Sequence, residues 1–250
     1  MAKMKVLLMG EPKRGGHILA VLKHSGIDVD HSPADADPRD QPNISEHAYD
    51  VIVIRKSYST IGDKLAVRIR DAVKQGTGLL MTGGWGTFTG RNIEGVFSGG
   101  YKGTPIEEAL PVSLLDTDDR ANETLYFVVN DWRSYRRIFG DDMPNYDKAA
   151  CGCNEVVPKK ESTTILKGVQ ALYADGKVTF STVYPILVTG VYGKGKTAAY
   201  TSDLSPHWAG NIVDWQKDKT DRTALSPGLE LGNYYIRFCS RLISSLAPQR

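Results

Sequence analysis

The residues best placed to do chemistry lie in Ser202-Asp203-Leu204-Ser205-Pro206-His207-Trp208. Ser205-Pro206 is helix-start grammar, with Ser as the capping residue and Pro in the first turn. That grammar leaves Asp203, His207 and Trp208 unexplained at the same strand end. A His in a first turn faces the positive end of the helix dipole and works there as a neutral donor or base. Asp203 could orient it, so that His207 acts as a general base on a water or a metal-bound water. Gly78-Leu79-Leu80-Met81-Thr82-Gly83-Gly84-Trp85-Gly86 reads as a buried strand running into a glycine-rich loop. There Gly83 and Gly84 let a ligand approach the backbone and offer amide donors, and Trp85 gives a stacking face. Glu11 and Asn154 add polar groups at two further strand ends, and Asp203, Ser205, His207 and Trp208 complete the candidate site.

Other motifs carry less. Gly190 to Thr197 spells G-x-x-x-x-G-K-T, yet Ala198-Ala199-Tyr200-Thr201-Ser202 after it is strand-like, where a phosphate loop needs a helix. A β-hairpin turning at Lys194-Gly195 explains the same residues. Gly84-Trp85-Gly86 lacks the third glycine of a dinucleotide fingerprint, which falls on Thr89, and follows the fourth strand instead of the first. Cys151-Gly152-Cys153 is too tight for the usual metal or redox spacing, and Cys239 sits on an apolar helix face. Asp118-Asp119-Arg120 reads as a metal or substrate loop, or as an acidic turn neutralised by its own Arg.

These residues need a scaffold, and the periodicity supplies one. Lys5 to Met9, Ile27 to His31, Tyr49 to Ile54 and Gly78 to Thr82 read as strands. Ile18, Leu19, Val21 and Leu22 mark a helix stopped by Gly26, and Leu65 to Val73 one that ends near Gly76. Asp35 to Ser45 reads as loop. Continuous β-branched runs alternating with helices predict a parallel sheet covered on both faces. The second half predicts a short helix over Pro105 to Leu110, then strands over Leu110 to Leu115, Thr124 to Val129 and Thr163 to Leu166. Trp132 to Cys153 shows no clear period and reads as loop with a short helix; Tyr234 to Leu246 is an amphipathic helix.

With 250 residues, 41% hydrophobic, the chain can build a sizeable core. Thirty-one Lys and Arg against 29 Asp and Glu leave a net charge of +2, which does not point to nucleic acid. No apolar run is long enough to cross a bilayer, and the N-terminal run is too short for a signal-peptide core. Three cysteines fit a reducing cytoplasm better than a disulfide framework. One domain over residues 1–250 is expected.

Several blocks together resemble the class I glutamine amidotransferase-like family. They are Lys5 to Glu11, Tyr49 to Ile54, Gly78 to Gly84, Leu110-Pro111-Val112 with Asp118-Asp119-Arg120, and Gly193 to Thr197 running on to Ser202 to Trp208. Trehalose-utilisation-type proteins are similar at a greater distance. The resemblance implies a fold class of α/β, a flavodoxin-like three-layer α/β/α sandwich with a mainly parallel central sheet, and homo-oligomers. A true class I amidotransferase carries a nucleophile elbow, G-x-C-x-G, after this strand, with a His and a carboxylate to activate the Cys. Here the elbow reads Thr82-Gly83-Gly84-Trp85-Gly86, with Gly84 at the nucleophile's place and no cysteine before Cys151. The His-x-Glu pair is reduced to His207. The covalent glutaminase mechanism cannot run without its nucleophile.

The expectation is therefore a cytoplasmic, oligomeric protein without glutaminase activity, binding a small metabolite or sugar at the carboxyl edge of its sheet. No cofactor, metal, nucleic acid or membrane is called for. Two alternatives differ in class: a hydrolase or isomerase built on His207 and Asp203, and a non-catalytic scaffold with Trp85 and Trp208 buried at subunit contacts.

Overall fold

The structure is a computed structural model that describes residues 3–10, 16–32, 42, 44, 48–55, 62–142 and 148–249. Glu11, and most of the Asp/Pro-rich stretch expected to be loop, lie outside the described residues. The apolar runs of the first third form β1 (Lys5–Met9), β2 (Asp28–Ser32), β3 (Val51–Ile54) and β4 (Gly78–Thr82), paired in parallel in the order β4-β3-β1-β2. Helices α1 (His17–His24) and α2 (Asp63–Gln75) connect them, and each stops just before a glycine of positive φ, Gly26 and Gly76.

Alternate residues of β1 serve opposite cores. Val6 and Leu8 pack with Ile18, Val21 and Leu22 of α1; Leu7 and Met9 pack with Leu65, Ile69 and Val73 of α2. The period-2 side-chain alternation of a strand thus gives a sheet covered on both faces.

The middle of the chain is irregular. After β5 (Asn92–Ile93), β6 (Val96–Phe97) and α3 (Pro105–Ala109) come β7 (Val112–Leu114), β8 (Arg120–Ala121) and β9 (Leu125–Val129). Within the stretch read as lacking a period lie α4 (Trp132–Phe139), β10 (Ala149–Ala150) and β11 (Cys153–Asn154), followed by β12 (Val156–Pro158). Asp131 caps α4 by accepting from the Ser134 amide at 3.1 Å, and Tyr135 and Phe139, four residues apart, face the core. β8 pairs with β11 and β7 with β12, both antiparallel, tying the acidic turn to the segment that carries Asn154.

The long strands β13 (Thr163–Ala174) and β14 (Lys177–Tyr192) extend well beyond the short strand expected over Thr163 to Leu166. Their turn, Asp175-Gly176, has φ of 51° and 73°, the left-handed pair of a type I′ hairpin. β15 (Gly195–Tyr200) follows across Gly193-Lys194, one residue earlier than expected. The shift has a packing cause. A Cβ on Gly195 would come within 2.3 Å of the Val73 carbonyl oxygen, so that glycine serves close contact with α2 and leaves the turn to Gly193 at φ 60°. A strand, not a helix, follows the G-x-x-x-x-G-K-T run.

The sheet has nine strands among the described residues, in the order β10-β9-β13-β14-β15-β4-β3-β1-β2. It is mixed: the strands from β15 to β2 are parallel, and the remainder is antiparallel, with β13-β14 and β14-β15 joined as hairpins. Beyond β15 lie α5 (Pro206–Ala209), a 3-10 turn over Gly210–Asp214, the hairpin β16 (Arg222–Ser226) with β17 (Leu229–Gly232), and α6 (Asn233–Ser245). α6 packs on the same face as α1, burying Tyr235, Phe238, Cys239 and Leu242. Strands β4 and β15 lie side by side, so their carboxyl ends bring the glycine loop next to the Asp203–His207 segment.

Candidate functional site: a clamped glycine loop beneath Trp85

β4 hands its ladder on to the loop through Gly83. Its amide donates to the carbonyls of Tyr200 (2.7 Å) and Ser202 (2.9 Å), and a Cβ there would fall 1.8 Å from the Thr201 carbonyl oxygen. Only glycine allows that approach. Gly84 follows at φ 134°, a conformation strained for any L side chain. Its amide donates to Asn154 Oδ1 at 2.9 Å, and Asn154 Nδ2 returns a bond to the Gly84 carbonyl at 3.3 Å. The amides of Gly83 and Gly84, expected as ligand donors, are both occupied. The backbone N–H of Trp85, the residue after the elbow position, has no acceptor among the described residues.

Asn154 is fully buried, and its side chain also donates from Nδ2 to Asp119 Oδ1 at 2.8 Å. Asp119 accepts the amides of Thr89 and Gly90, each at 2.9 Å. One buried carboxylate and one buried carboxamide thus hold both ends of the 84–90 loop from beneath. Burial pushes the Asp119 carboxyl up to about 6, outweighing the three N–H groups that favour its ionised form. Its neighbour Asp118 instead grips Arg120 through two side-chain bonds of 2.9 and 2.8 Å, which hold its carboxyl below the usual range. The acidic turn is thereby neutralised by its own Arg, as one of its two readings had it, while Asp119 performs a clamping role that neither reading contained.

What the clamp presents is Trp85, 41% exposed. The Arg120 guanidinium lies over its ring at 4.9 Å, and Arg91 lies at 5.9 Å. His207 is exposed and meets Trp85 edge-on, with ring centroids 5.7 Å apart. The two aromatic residues expected to share a site therefore lie against each other.

The rest of the 202–208 cluster is placed differently. Asp203, fully buried, pairs with Arg55 at 3.1 Å and accepts the Ser205 hydroxyl at 2.7 Å. Ser205 stands at the start of α5, but its hydroxyl goes to Asp203 and not to a helix amide. The dyad in which Asp203 orients His207 is not formed, because Asp203 is committed to a buried cation. Trp208 is also buried, donating Nε1 to Asn122 Oδ1 at 3.0 Å and packing against Gly152, so it belongs to the chain's own interior and not to a subunit contact. No cysteine reaches the elbow: Cys151 is exposed after β10, and Cys153 and Cys239 are buried. Burial pushes the Cys153 thiol up, away from nucleophilic use. Among the described residues no three His, Cys, Asp or Glu side chains are grouped to hold a metal ion.

Three participants were not singled out from the sequence: Arg55, Arg91 and Asn122. Arg55 left a trace, as a lone cation directly after the apolar run Val51-Ile52-Val53-Ile54. Arg91 and Asn122 left none.

Comparison with known proteins matches residues 13–222 to the family model GATase1_like, described as "Putative glutamine amidotransferase". Two solved structures align over 98% of this chain and 100% of their own. Cytoplasmic Protein STM3548 from Salmonella typhimurium is 25% identical with a TM-score of 0.72. Cytoplasmic Protein STM1381 from Salmonella typhimurium LT2 is 24% identical with a TM-score of 0.73. A protein described as ThuA-like from Parabacteroides merdae, 12% identical, shares the fold over 100% of this chain and 93% of its own, with a TM-score of 0.50. No curated protein matches the sequence. No described helix is long and apolar enough to cross a membrane.

Proposed function

The chain belongs to the GATase1-like family, and from that premise we propose that it binds a small metabolite or sugar at the carboxyl edge of its sheet and does not hydrolyse glutamine. One observation carries the reading. Trp85 is held half-exposed on a loop whose underside is fixed by Asn154 and Asp119, with His207 against its ring. Buried polar groups fully bonded to one another rigidify what they support. An aromatic face so fixed binds a ring-shaped ligand at low ordering cost. The His207 ring and the Trp85 amide supply polar contacts beside it.

The glutaminase half rests on Gly84. It occupies the nucleophile's position in a backbone conformation that a cysteine would not adopt without strain. Support for action in the cytoplasm comes from the cysteine usage and from the cytoplasmic relatives; assembly as a homo-oligomer rests on the family resemblance.

Thermal-shift measurements across a metabolite panel test the binding half. A stabilising ligand is expected, and Trp85→Ala and His207→Ala should each abolish its shift. A shift that survives both substitutions would place the site elsewhere. A glutamine-directed covalent reagent should label none of Cys151, Cys153 and Cys239 specifically, and stoichiometric labelling of one would overturn the second half.

A further inference from the structure

We infer that the ligand of this site is anionic, a sugar-sized ring bearing one carboxylate or phosphate, with Arg91 as the residue that recognises the charge; this rests on the binding reading above. The two guanidinium groups near Trp85 differ in what they still have to give. Arg120 is held in the two-bond grip of Asp118, so its charge is compensated. Arg91 is exposed, and among the described residues no carboxylate lies within ion-pair distance of its guanidinium. Among the described residues the site therefore carries one uncompensated positive charge beside an aromatic face.

Arg91 is also positioned, at least by its backbone. Its amide donates to the Ser98 hydroxyl at 2.8 Å, and Ser98 returns its own amide to the Arg91 carbonyl at 2.8 Å. The same Ser98 hydroxyl donates to the Trp85 carbonyl, so one side chain ties together the backbones that carry the ring and the cation. The Gly90 amide just before Arg91 is fixed on Asp119. A guanidinium fork matches a carboxylate or a phosphate. Trp85 meanwhile offers an apolar surface for the ligand's ring, and the Trp85 amide and His207 can hydrogen-bond its hydroxyls.

Tryptophan fluorescence titration of the full-length chain with glucuronate, glucose 6-phosphate and glucose tests this. At least one of the two acids should bind saturably and about tenfold or more tighter than glucose, as a charge-assisted bond would give. Which acid binds separates carboxylate from phosphate. Arg91→Gln, whose thermal melt should stay close to the parent because among the described residues the side chain makes no hydrogen bond or ion pair and only meets the Trp85 ring at 5.9 Å, should reduce the acid to the affinity of glucose. Trp85→Phe should remove the signal. Glucose binding as tightly as the acids, or an acid preference that survives Arg91→Gln, overturns the charge assignment and leaves the binding reading standing. A signal that survives Trp85→Phe, or silence with all three sugars, overturns both for this class of ligand.

Discussion

Asn154 and Asp119, 35 residues apart in the chain, share a buried hydrogen bond of 2.8 Å, and through it the two ends of the glycine loop are tied to one point. Asn154 reaches the loop at Gly84, and Asp119 reaches it at Thr89 and Gly90. The ladder between β8 and β11 sets their spacing, since Asn154 is the register partner of Arg120, next to Asp119. A loop that could have been mobile is thereby built as a rigid support for Trp85.

Truncating the amide should be costly. Asn154→Ala removes the partner of the Gly84 amide and leaves Asp119 short of one donor, both in the interior. Stranded buried polar groups cost about 1–3 kcal/mol each, so a loss of roughly 2–5 kcal/mol is expected by urea unfolding. A loss below about 1 kcal/mol would mean that the clamp contributes little.

The clamp should also be legible in the pH dependence of stability. Asp119 has its carboxyl raised by burial from 3.8 to about 6 in the folded chain. Between those values the folded state holds a proton that the unfolded state has lost. Stability from this group is therefore full below about pH 4, falls as pH rises to about 6, and is level above that. Other carboxylates, such as Asp118 and Asp131, are held low and act in the opposite direction. The difference between the parent and Asp119→Asn isolates the contribution. The parent should lose stability relative to the variant between pH 4 and 6, by an amount of order 1–3 kcal/mol. A constant difference across that window would show that Asp119 titrates normally.

Restoring the missing nucleophile should not restore its chemistry. Gly84→Cys places a side chain at φ 134° and leaves the His-x-Glu pair incomplete. The variant should lose about 1–3 kcal/mol to backbone strain and release no more glutamate from glutamine than the parent. Glutaminase turnover in this variant would show that the loop retains the family's machinery.

Asp203 and His207 should separate by experiment. Asp203→Asn takes away the carboxylate charge that the fully buried Arg55 guanidinium meets at 3.1 Å, a change worth about 3–5 kcal/mol. His207→Ala, at an exposed ring, should stay within about 0.5 kcal/mol of the parent. Comparable losses from the two single variants would mean that the residues act together after all.

The first half of the fold was readable because buried parallel strands and amphipathic helices write their periods into the chain, as Val51 to Ile54 and Leu65 to Val73 do. The long hairpin was not. Past Val169 it leaves the core, and Leu172, Tyr173, Val178 and Phe180 are exposed, so no single buried face shapes the sequence. α4 was expected only as a short helix somewhere within Trp132 to Cys153, because eight residues give barely two turns of pattern to place it by. At the site, Trp85 and His207 were legible from residue type and strand-end position. The roles of Asp119, Asn154 and Asp203 were not, because a buried polar residue takes its meaning from its partner. Asp203 looks like half of a catalytic dyad until Arg55, 148 residues away, is seen beside it.

The most direct measurement follows the indole N–H signals of the four tryptophans by NMR while a ligand from the metabolite panel is titrated in. The Trp85 resonance should move saturably with the same midpoint as the thermal shift, while that of Trp208, buried and bonded to Asn122, should stay in place. A saturating ligand that leaves the Trp85 resonance unmoved would contradict a binding site on the clamped loop.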